Sequence, residues 1–379
     1  MYMEYIIGNN FLLRAPLQGF NQFSIMEMSD DSTNTIFNIL KEDPIFCEAL
    51  AIANLELWMK IKKGKLNTTQ SEAIIKYYIR YLSRSTPYGM FAGVRCGNFG
   101  EATSCESGSE EEAEKYCRVD MAWFYGVIQT LEKDFDVVYN TKVKFNSECF
   151  IHGDRIVNPY NHNYGQLDHR EGYFKNSKIR FTGQVKFIRD NTSDWIPFEK
   201  LFYAFVKYNL NVPKDKLKGF LLSLIENGFL ITDIRGGLSE TDPLQNLLDQ
   251  LKDYKLNTQN SNYYEKLLKV NELRLEYSSK PYGKGIDLYQ NLCEKMEEIH
   301  KSTNYINVIC QHSIEKICLN QNIRQELERF ANFLIIVSSS DNEPAYLTSY
   351  KERFLDKYGA NIFQILQAVS ENSELVGLS

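Results

Sequence analysis

The period of apolar and polar positions changes several times along the chain, and each change predicts an element. Tyr5-Ile6-Ile7 and Phe11-Leu12-Leu13-Arg14-Ala15-Pro16 are apolar runs broken by Gly8-Asn9-Asn10, a pattern of short opening strands. Residues 34 to 65 have helical spacing interrupted at Asp43-Pro44, which predicts two helices, the second ending in Lys60, Lys62, Lys63 and Lys65. Thr69 followed by Glu72 has the form of a capping box and predicts a helix from Glu72 to about Arg84. Pro87 disfavours the helical conformation at Thr86, so that helix is expected to stop just before it. Gly93 to Phe99 is strand-like, Glu101 to Glu114 has the acidic, small-residue composition of a flexible surface loop, and Asp120 stands as N-cap of a helix to about Phe135.

Residues 137 to 189 alternate and carry Gly, Asn and Asp turn signals, so this section is expected to be rich in strands. From Pro197 the period becomes helical. Phe198, Leu201, Phe202 and Phe205 form one apolar face, Leu217, Phe220, Leu221, Leu224 and Ile225 a second, closed by Asn227-Gly228 and a short strand at Phe229-Leu230-Ile231. Strands, then helices, then a strand-like wing suggest a winged-helix unit. The remainder, Pro243 to Ala368, is mostly helical, with a strand expected from Tyr305 to Cys310. The fold class is therefore α+β, a mixed architecture of several subdomains: 1–144, an embedded winged-helix unit at 145–235, and a mainly helical part at 236–379.

Composition narrows the class without naming a function. Of 379 residues, 43% are hydrophobic and 24% charged, ordinary globular values that exclude disorder as the dominant state. The length fits about two to three domains. Lys plus Arg number 43 and Asp plus Glu 49, for a net charge of −6, so the whole chain is not a general polyanion binder, although a local basic face stays compatible with nucleic acid. Eight cysteines without a CxxC pair fit neither a zinc ribbon nor a disulfide scaffold, and scattered reduced thiols are expected. The opening MYMEYIIGNN lacks the basic and apolar regions of a signal peptide, and no apolar run approaches the ~18 residues of a membrane span. A cytoplasmic location is the expectation.

The chemically informative stretch is Lys76 to Gly93, KYYIRYLSRSTPYGMFAG. Lys76, Arg80 and Arg84 are spaced to line one helix face and run into a Thr-Pro-Tyr-Gly turn. Cations near a helix C-terminus complement its dipole, the plain explanation, but an Arg there also holds a carboxylate or phosphate through two donors at once. His152, His162 and His169 near Asp168 and Glu171, and Cys310 and His312 with Cys318 and Cys293, lack common metal-site spacing, so no metal is expected. No Ser-His-Asp motif, nucleophile elbow or phosphate-binding Gly loop is present.

Arg80-x-x-x-Arg84-x-Thr86-Pro87-Tyr88-Gly89-x-Phe91-Ala92-Gly93 resembles the signature of class I lanthipeptide (lantibiotic) dehydratases, in their N-terminal glutamylation domain. Phe11 to Pro16 with Arg14, Arg118-Val119-Asp120, Gly228 to Arg235 followed by Asp242-Pro243-Leu244, and Phe354-x-x-Lys357-Tyr358-Gly359 are similar to further segments of that family in the same order. The resemblance implies transfer of glutamate from glutamyl-tRNA to Ser or Thr hydroxyls of a ribosomally made precursor peptide, before a separate domain eliminates it. It implies that Arg80, Arg84 and Thr86 form the reactive group, that Arg14 and Asp120 are auxiliary to it, and that Lys60, Lys62, Lys63, Lys65 and Lys76 track tRNA phosphates. It further implies that the winged-helix unit binds the precursor's leader as an added strand beside a strand at Gln184 to Arg189, against a helix at Asp215 to Asn227. The leader contacts would be Val185, Phe187, Leu217, Phe220, Leu221 and Leu224. A winged helix can alternatively bind DNA, which the modest charge of KDKLKGFLLSLIENG argues against. No cofactor is implied beyond glutamyl-tRNA as co-substrate. By resemblance the chain is the N-terminal part of the domain, its partners being the rest of that domain and an elimination domain in cis or in trans, and the isolated chain is expected to be inactive. Two other roles fit the same text: an aminoacyl-tRNA-dependent peptide ligase, and a non-catalytic leader-binding module of a split system.

Overall fold

The structure, a computed structural model, describes residues 5–19, 39–64, 66–86, 88–109, 113–162, 174–237, 239–253, 263–338 and 345–359. The chain divides into two compact units, one of Met1–Arg118, Lys269–Met296 and Ile306–Ser339, the other of Val119–Leu268, Glu297–Tyr305 and Ser340–Ser379. In chain order, β1 (Asn10–Pro16), α1 (Pro44–Ala53), α2 (Leu55–Lys62), α3 (Thr68–Ser83), β2 (Ala92–Gly100), β3 (Ser104–Ser107) and β4 (Lys115–Val119) come first. They are followed by α4 (Met121–Glu132), α5 (Phe135–Tyr139), β5 (Lys142–Phe145), β6 (Phe150–His152), β7 (Arg155–His162), β8 (Phe174–Arg180), α6 (Gly183–Asn191), β9 (Ile196–Pro197), α7 (Phe198–Tyr208), α8 (Lys214–Glu226), β10 (Leu230–Thr232) and α9 (Pro243–Asp253). The last elements are α10 (Tyr263–Ser279), α11 (Ile286–Ile299), β11 (Ile306–Gln311), β12 (Ile314–Asn320), α12 (Gln321–Val337) and α13 (Ala345–Tyr358).

The first unit is built on a mixed sheet of order β3-β12-β2-β11-β4, with β1 antiparallel to β2. Both β11 and β12 run parallel to β2, one pairing near its start (Cys310 with Gly93), the other near its end (Cys318 with Asn98). Alternation decides the sheet's two faces. Lys115, Cys117 and Val119 of β4 and Ile306, Val308 and Cys310 of β11 are buried, whereas Leu12, Tyr116 and Ile309 are exposed and belong to an open face. Gly97 is required where it stands, because a Cβ there would lie 2.3 Å from the ring of Phe11 on the paired strand.

Helix starts follow local capping chemistry. Asn54 is extended (φ −156), ends α1, and caps α2 by accepting from Leu57 N at 2.9 Å. The expected single helix between Pro44 and Lys65 is therefore two. The expected box of Thr69 and Glu72 is corrected as well: Asn67 and Gln70 cap each other, and α3 begins at Thr68. Ile74, Tyr78, Tyr81 and Leu82 then bury one helical face. The helix ends at Ser83, before Pro87, as the proline predicts. The acidic stretch between Glu101 and Glu114 contains an element that composition hid, since Ser104–Ser107 pairs antiparallel with β12. Ladder hydrogen bonds override a polar composition when a partner strand is adjacent.

In the second unit Asp120 caps α4 as expected, accepting from Ala122 N at 2.9 Å. Two small sheets follow, β10-β5-β9 and β6-β7-β8. The helices α6, α7 and α8 pack around one apolar core that includes Phe198, Leu201, Phe205, Leu221, Ile225 and Phe229. Gly228 turns the chain out of α8 with φ +68, where a Cβ would lie 2.7 Å from Asn158. The strand expected at Gln184 to Arg189 is instead helix α6. Thr182 caps it by accepting from Val185 N, and Val185 and Ile188, three apart, bury its apolar side. The last strand before the helices is β8.

Candidate functional site

The candidate site centres on the exit of α3. Arg80 occupies its last turn, and its guanidinium carbon lies 4.7 Å from the centroid of the Tyr88 ring. Its Nε is buried without a hydrogen-bond partner among the described residues. Tyr88 stacks in turn on Phe91 (centroids 5.7 Å apart, 28° between planes), and Phe91 is fully buried. The connection is a tight turn: Phe91 N donates to Tyr88 O at 3.1 Å, and Gly89 has φ +54, the left-handed conformation that favours glycine.

Arg84 does not share the helix face expected for it. It is the C-cap, extended (φ −109, ψ 126), and its N–H donates to Arg80 O at 3.0 Å. Lys76 and Arg80 alone keep the four-residue helical spacing. Arg84 and Thr86 are exposed beside the turn. Arg14 is exposed on β1 opposite Val94, on the sheet's open face. Two clefts lie along this face and share Val94 and Gln311; one reaches Leu12, Arg95 and Lys316, the other Tyr116, Leu275 and Ser278. Asp120 falls in the other unit, as the cap of α4.

The basic cluster is partly neutralised. Lys60 pairs with Glu56 at 2.7 Å and Lys62 with Asp287 at 2.9 Å, while Lys63 and Lys76 are exposed and Lys65 lies outside the described residues. Exposed pairs of this kind contribute about 0–1 kcal/mol, so exchanging either partner for a phosphate costs little.

The side chains assigned to the leader are mostly spent on the core. Val185, Leu217, Leu221 and Leu224 are buried. Phe187 stacks on Tyr208 at 4.3 Å, and Phe220 on Phe205 at 5.8 Å. The periodicity that singled out these residues marks their packing within the unit.

A buried polar group was not anticipated from sequence. Glu48 of α1 accepts from Lys115 Nζ at 2.6 Å and from the Tyr277 hydroxyl at 2.7 Å, and Lys115 Nζ sits 4.2 Å from the centroid of the Tyr277 ring. The one available signal was a lone acid inside the otherwise apolar PIFCEALAIA. The second unit holds a comparable group, in which Glu132 accepts from both Nε and Nη2 of Arg235 and from Thr232. Among the thiols, burial pushes Cys47 and Cys310 up to about 12 and Cys117 up to about 11. Among the described residues no three His, Cys, Asp or Glu side chains group as metal ligands, and no helix is long and apolar enough to cross a membrane. His152 and His162 lie on β6 and β7, and His169 lies outside the described residues.

Comparison with known proteins gives a consistent set of likenesses. The family described as "Lantibiotic dehydratase, N terminus" matches residues 42–378. The chain is 24% identical to the epidermin biosynthesis protein EpiB of Staphylococcus epidermidis over 377 residues, covering 97% of this chain and 37% of that protein. It is 25% identical to the subtilin biosynthesis protein SpaB of Bacillus subtilis (94% of this chain, 34% of that protein). To the nisin biosynthesis protein NisB of Lactococcus lactis subsp. lactis it is 26% identical (86% and 32%). The chain thus spans about a third of the length of these relatives. Its fold is similar to that of the tRNA dependent lantibiotic dehydratase MibB from Microbispora sp. 107891, with a TM-score of 0.79 at 22% identity over 96% of this chain and 34% of that one. The glutamylation domain TbtB, from thiomuracin biosynthesis, matches with a TM-score of 0.56 at 14% identity over 87% of this chain and 40% of that one.

Proposed function

The chain belongs to the lantibiotic dehydratases, matching their N-terminal region, and from that premise we propose that it is the N-terminal part of an enzyme that glutamylates a precursor peptide from glutamyl-tRNA. A Ser or Thr hydroxyl oxygen of the precursor attacks the glutamyl ester carbonyl. A new ester bond forms to that oxygen, the bond to the tRNA ribose oxygen breaks, and the hydroxyl proton ends on the ribose. An aminoacyl ester is already activated, so the protein's work is to position the reactants and stabilise developing charge.

The observation that carries this reading is Arg80, a partly desolvated guanidinium whose buried Nε has no partner among the described residues, at the exit of a helix beside an exposed Arg84 and Thr86. Arg80 and Arg84 hold the glutamyl side-chain carboxylate or the adenosine end of the tRNA, and Thr86 hydrogen-bonds the same end. Arg14 assists from the open face of the sheet. Lys60, Lys62, Lys63, Lys65 and Lys76 follow tRNA phosphates. The winged-helix reading of 145–235 is supported by the order of strands and helices there. Since the strand before the helices is β8, the leader joins the side of that strand opposite β7 through main-chain hydrogen bonds. The remainder of the glutamylation domain and an elimination domain complete the enzyme, in cis or in trans.

Incubating the complete protein with its precursor peptide and glutamyl-tRNA tests the reading. A glutamate-dependent mass increase on the peptide, lost with Arg80→Ala, is the expected result. No glutamate-dependent mass change would end it.

A further inference from the structure

We propose that Tyr88 is the positioning residue for Arg80, an inference that rests on the glutamyl-transfer reading above. An Arg side chain carries about 2 kcal/mol of rotamer entropy, which must be lost before its fork can hold a planar oxyacid. The turn after α3 removes that freedom in advance. The Arg80 guanidinium lies against the Tyr88 ring at 4.7 Å. Tyr88, 43% exposed, does not fix itself; it stacks on the fully buried Phe91. Phe91 meets Tyr81 edge-on at 6.2 Å, and Tyr81 is the residue after Arg80 on the same helix and is fully buried. The contacts therefore close a ring, Arg80 to Tyr88 to Phe91 to Tyr81, returning to the backbone that carries Arg80.

Two further features make the ring a device for ligand binding rather than surface packing. A cation against an aromatic face loses part of its hydration, and a partly desolvated guanidinium attracts an anion more strongly than a hydrated one. In addition, the buried Arg80 Nε has no hydrogen-bond partner among the described residues, a cost of about 1–3 kcal/mol for a buried donor. Nε itself has no surface for a substrate to reach, so the acceptor meets the rest of the half-buried guanidinium. The left-handed Gly89 (φ +54) supplies the backbone turn that brings Tyr88 back over the helix end. The ligand is a carboxylate, and the contact uses the ring of Tyr88 rather than its hydroxyl.

Two measurements on Tyr88→Leu, Tyr88→Phe and the unsubstituted protein test this. In the 379-residue chain labelled with 15N-arginine, the Arg80 Nε–H signal is assigned by its loss in Arg80→Lys. It is expected to exchange slowly with water in the unsubstituted chain and in Tyr88→Phe, and rapidly in Tyr88→Leu. In the complete protein, kcat/KM for glutamyl-tRNA is expected to fall roughly three- to thirtyfold in Tyr88→Leu, with Tyr88→Phe recovering most of the loss and thermal melting unchanged. Tyr88→Met, which removes the ring and keeps volume, replaces Tyr88→Leu if the latter does not fold. Equal Nε–H exchange and equal kcat/KM in all three proteins would overturn the proposal, as would Tyr88→Phe being as impaired as Tyr88→Leu. If the exchange pattern is as expected but the unsubstituted enzyme transfers no glutamate, the Tyr88–Arg80 contact stands and the glutamyl-transfer reading fails.

Discussion

Lys115 Nζ donates to Glu48 Oε1 at 2.6 Å, and neither side chain has any exposed surface. The pair ties α1 to β4, and the Tyr277 hydroxyl brings α10 to the same oxygen. Three segments distant in sequence thus meet at one carboxylate on the covered side of the sheet. Replacing one partner leaves the other as an uncompensated buried charge, at about 3–5 kcal/mol. Glu48→Leu and Lys115→Met are each expected to lower the urea midpoint of the first unit strongly, followed by fluorescence of the buried Trp58. The double variant is expected to recover most of the loss, because paired removal avoids the orphan charge. Single and double variants of equal stability would refute this account.

Gly285 and Gly64 are predicted to respond very differently to alanine. A Cβ at Gly285 would lie 2.5 Å from the Tyr277 ring and 2.6 Å from Glu48 Oε1, so the buried group must shift. Gly64 has φ +64 but, among the described residues, nothing within 4 Å, so its backbone conformation is what is strained. Gly285→Ala is expected to cost at least about 2 kcal/mol and Gly64→Ala about 1 kcal/mol. Differential scanning calorimetry checks the ranking, and the reverse order would contradict the packing described.

Arg80 is predicted to need its planar fork and not merely its charge. Arg80→Lys keeps the charge and removes the two-donor geometry. Losing a hydrogen bond to a charged group costs about 1.5–3 kcal/mol, so kcat/KM for glutamyl-tRNA should fall roughly 10- to 100-fold. Steady-state kinetics on the complete protein provide the check, and a Lys variant with unchanged kcat/KM would remove Arg80 from the binding role.

The thiols are predicted to divide sharply in reactivity. Cys96 and Cys105 are exposed, whereas Cys47, Cys117 and Cys310 are buried and pushed by that burial to about 12, 11 and 12. Raised values mean that these three stay protonated at pH 8, and the thiolate is the reactive form. Brief iodoacetamide treatment at pH 8 followed by peptide mass mapping should label Cys96 and Cys105 first. Cys47, Cys117 and Cys310, and with them the buried Cys293, should react only in denaturant.

Much of the local structure is legible because its causes are local. Asp120 before an apolar-periodic run specifies a cap, and Pro87 bars α3 from running past Thr86, although it ends at Ser83. The failures have physical reasons too. Gln184 to Arg189 alternates like a strand, yet Thr182 caps it and a core lies on one side, so a short helix wins. Ser104–Ser107 looks like a loop because it is polar, but β12 offers it hydrogen bonds. Arg84 obeys the helical count from Lys76, but the helix ends one residue earlier, at Ser83.

Helix faces, several termini, the ordered motifs and the place of Arg80 and Thr86 around the end of a helix were legible in the chain, since propensity, capping and periodicity act over a few residues. The packing of separate segments decided that β11 and β12 flank opposite ends of β2, that Glu48 meets Lys115 and Tyr277, and that Val185, Leu217, Leu221 and Leu224 are core. It also decided that Arg80 rests on Tyr88. Each of these depends on which surfaces meet when apolar area is withdrawn from water, and a pairing between distant segments leaves no period in the chain from which to read it.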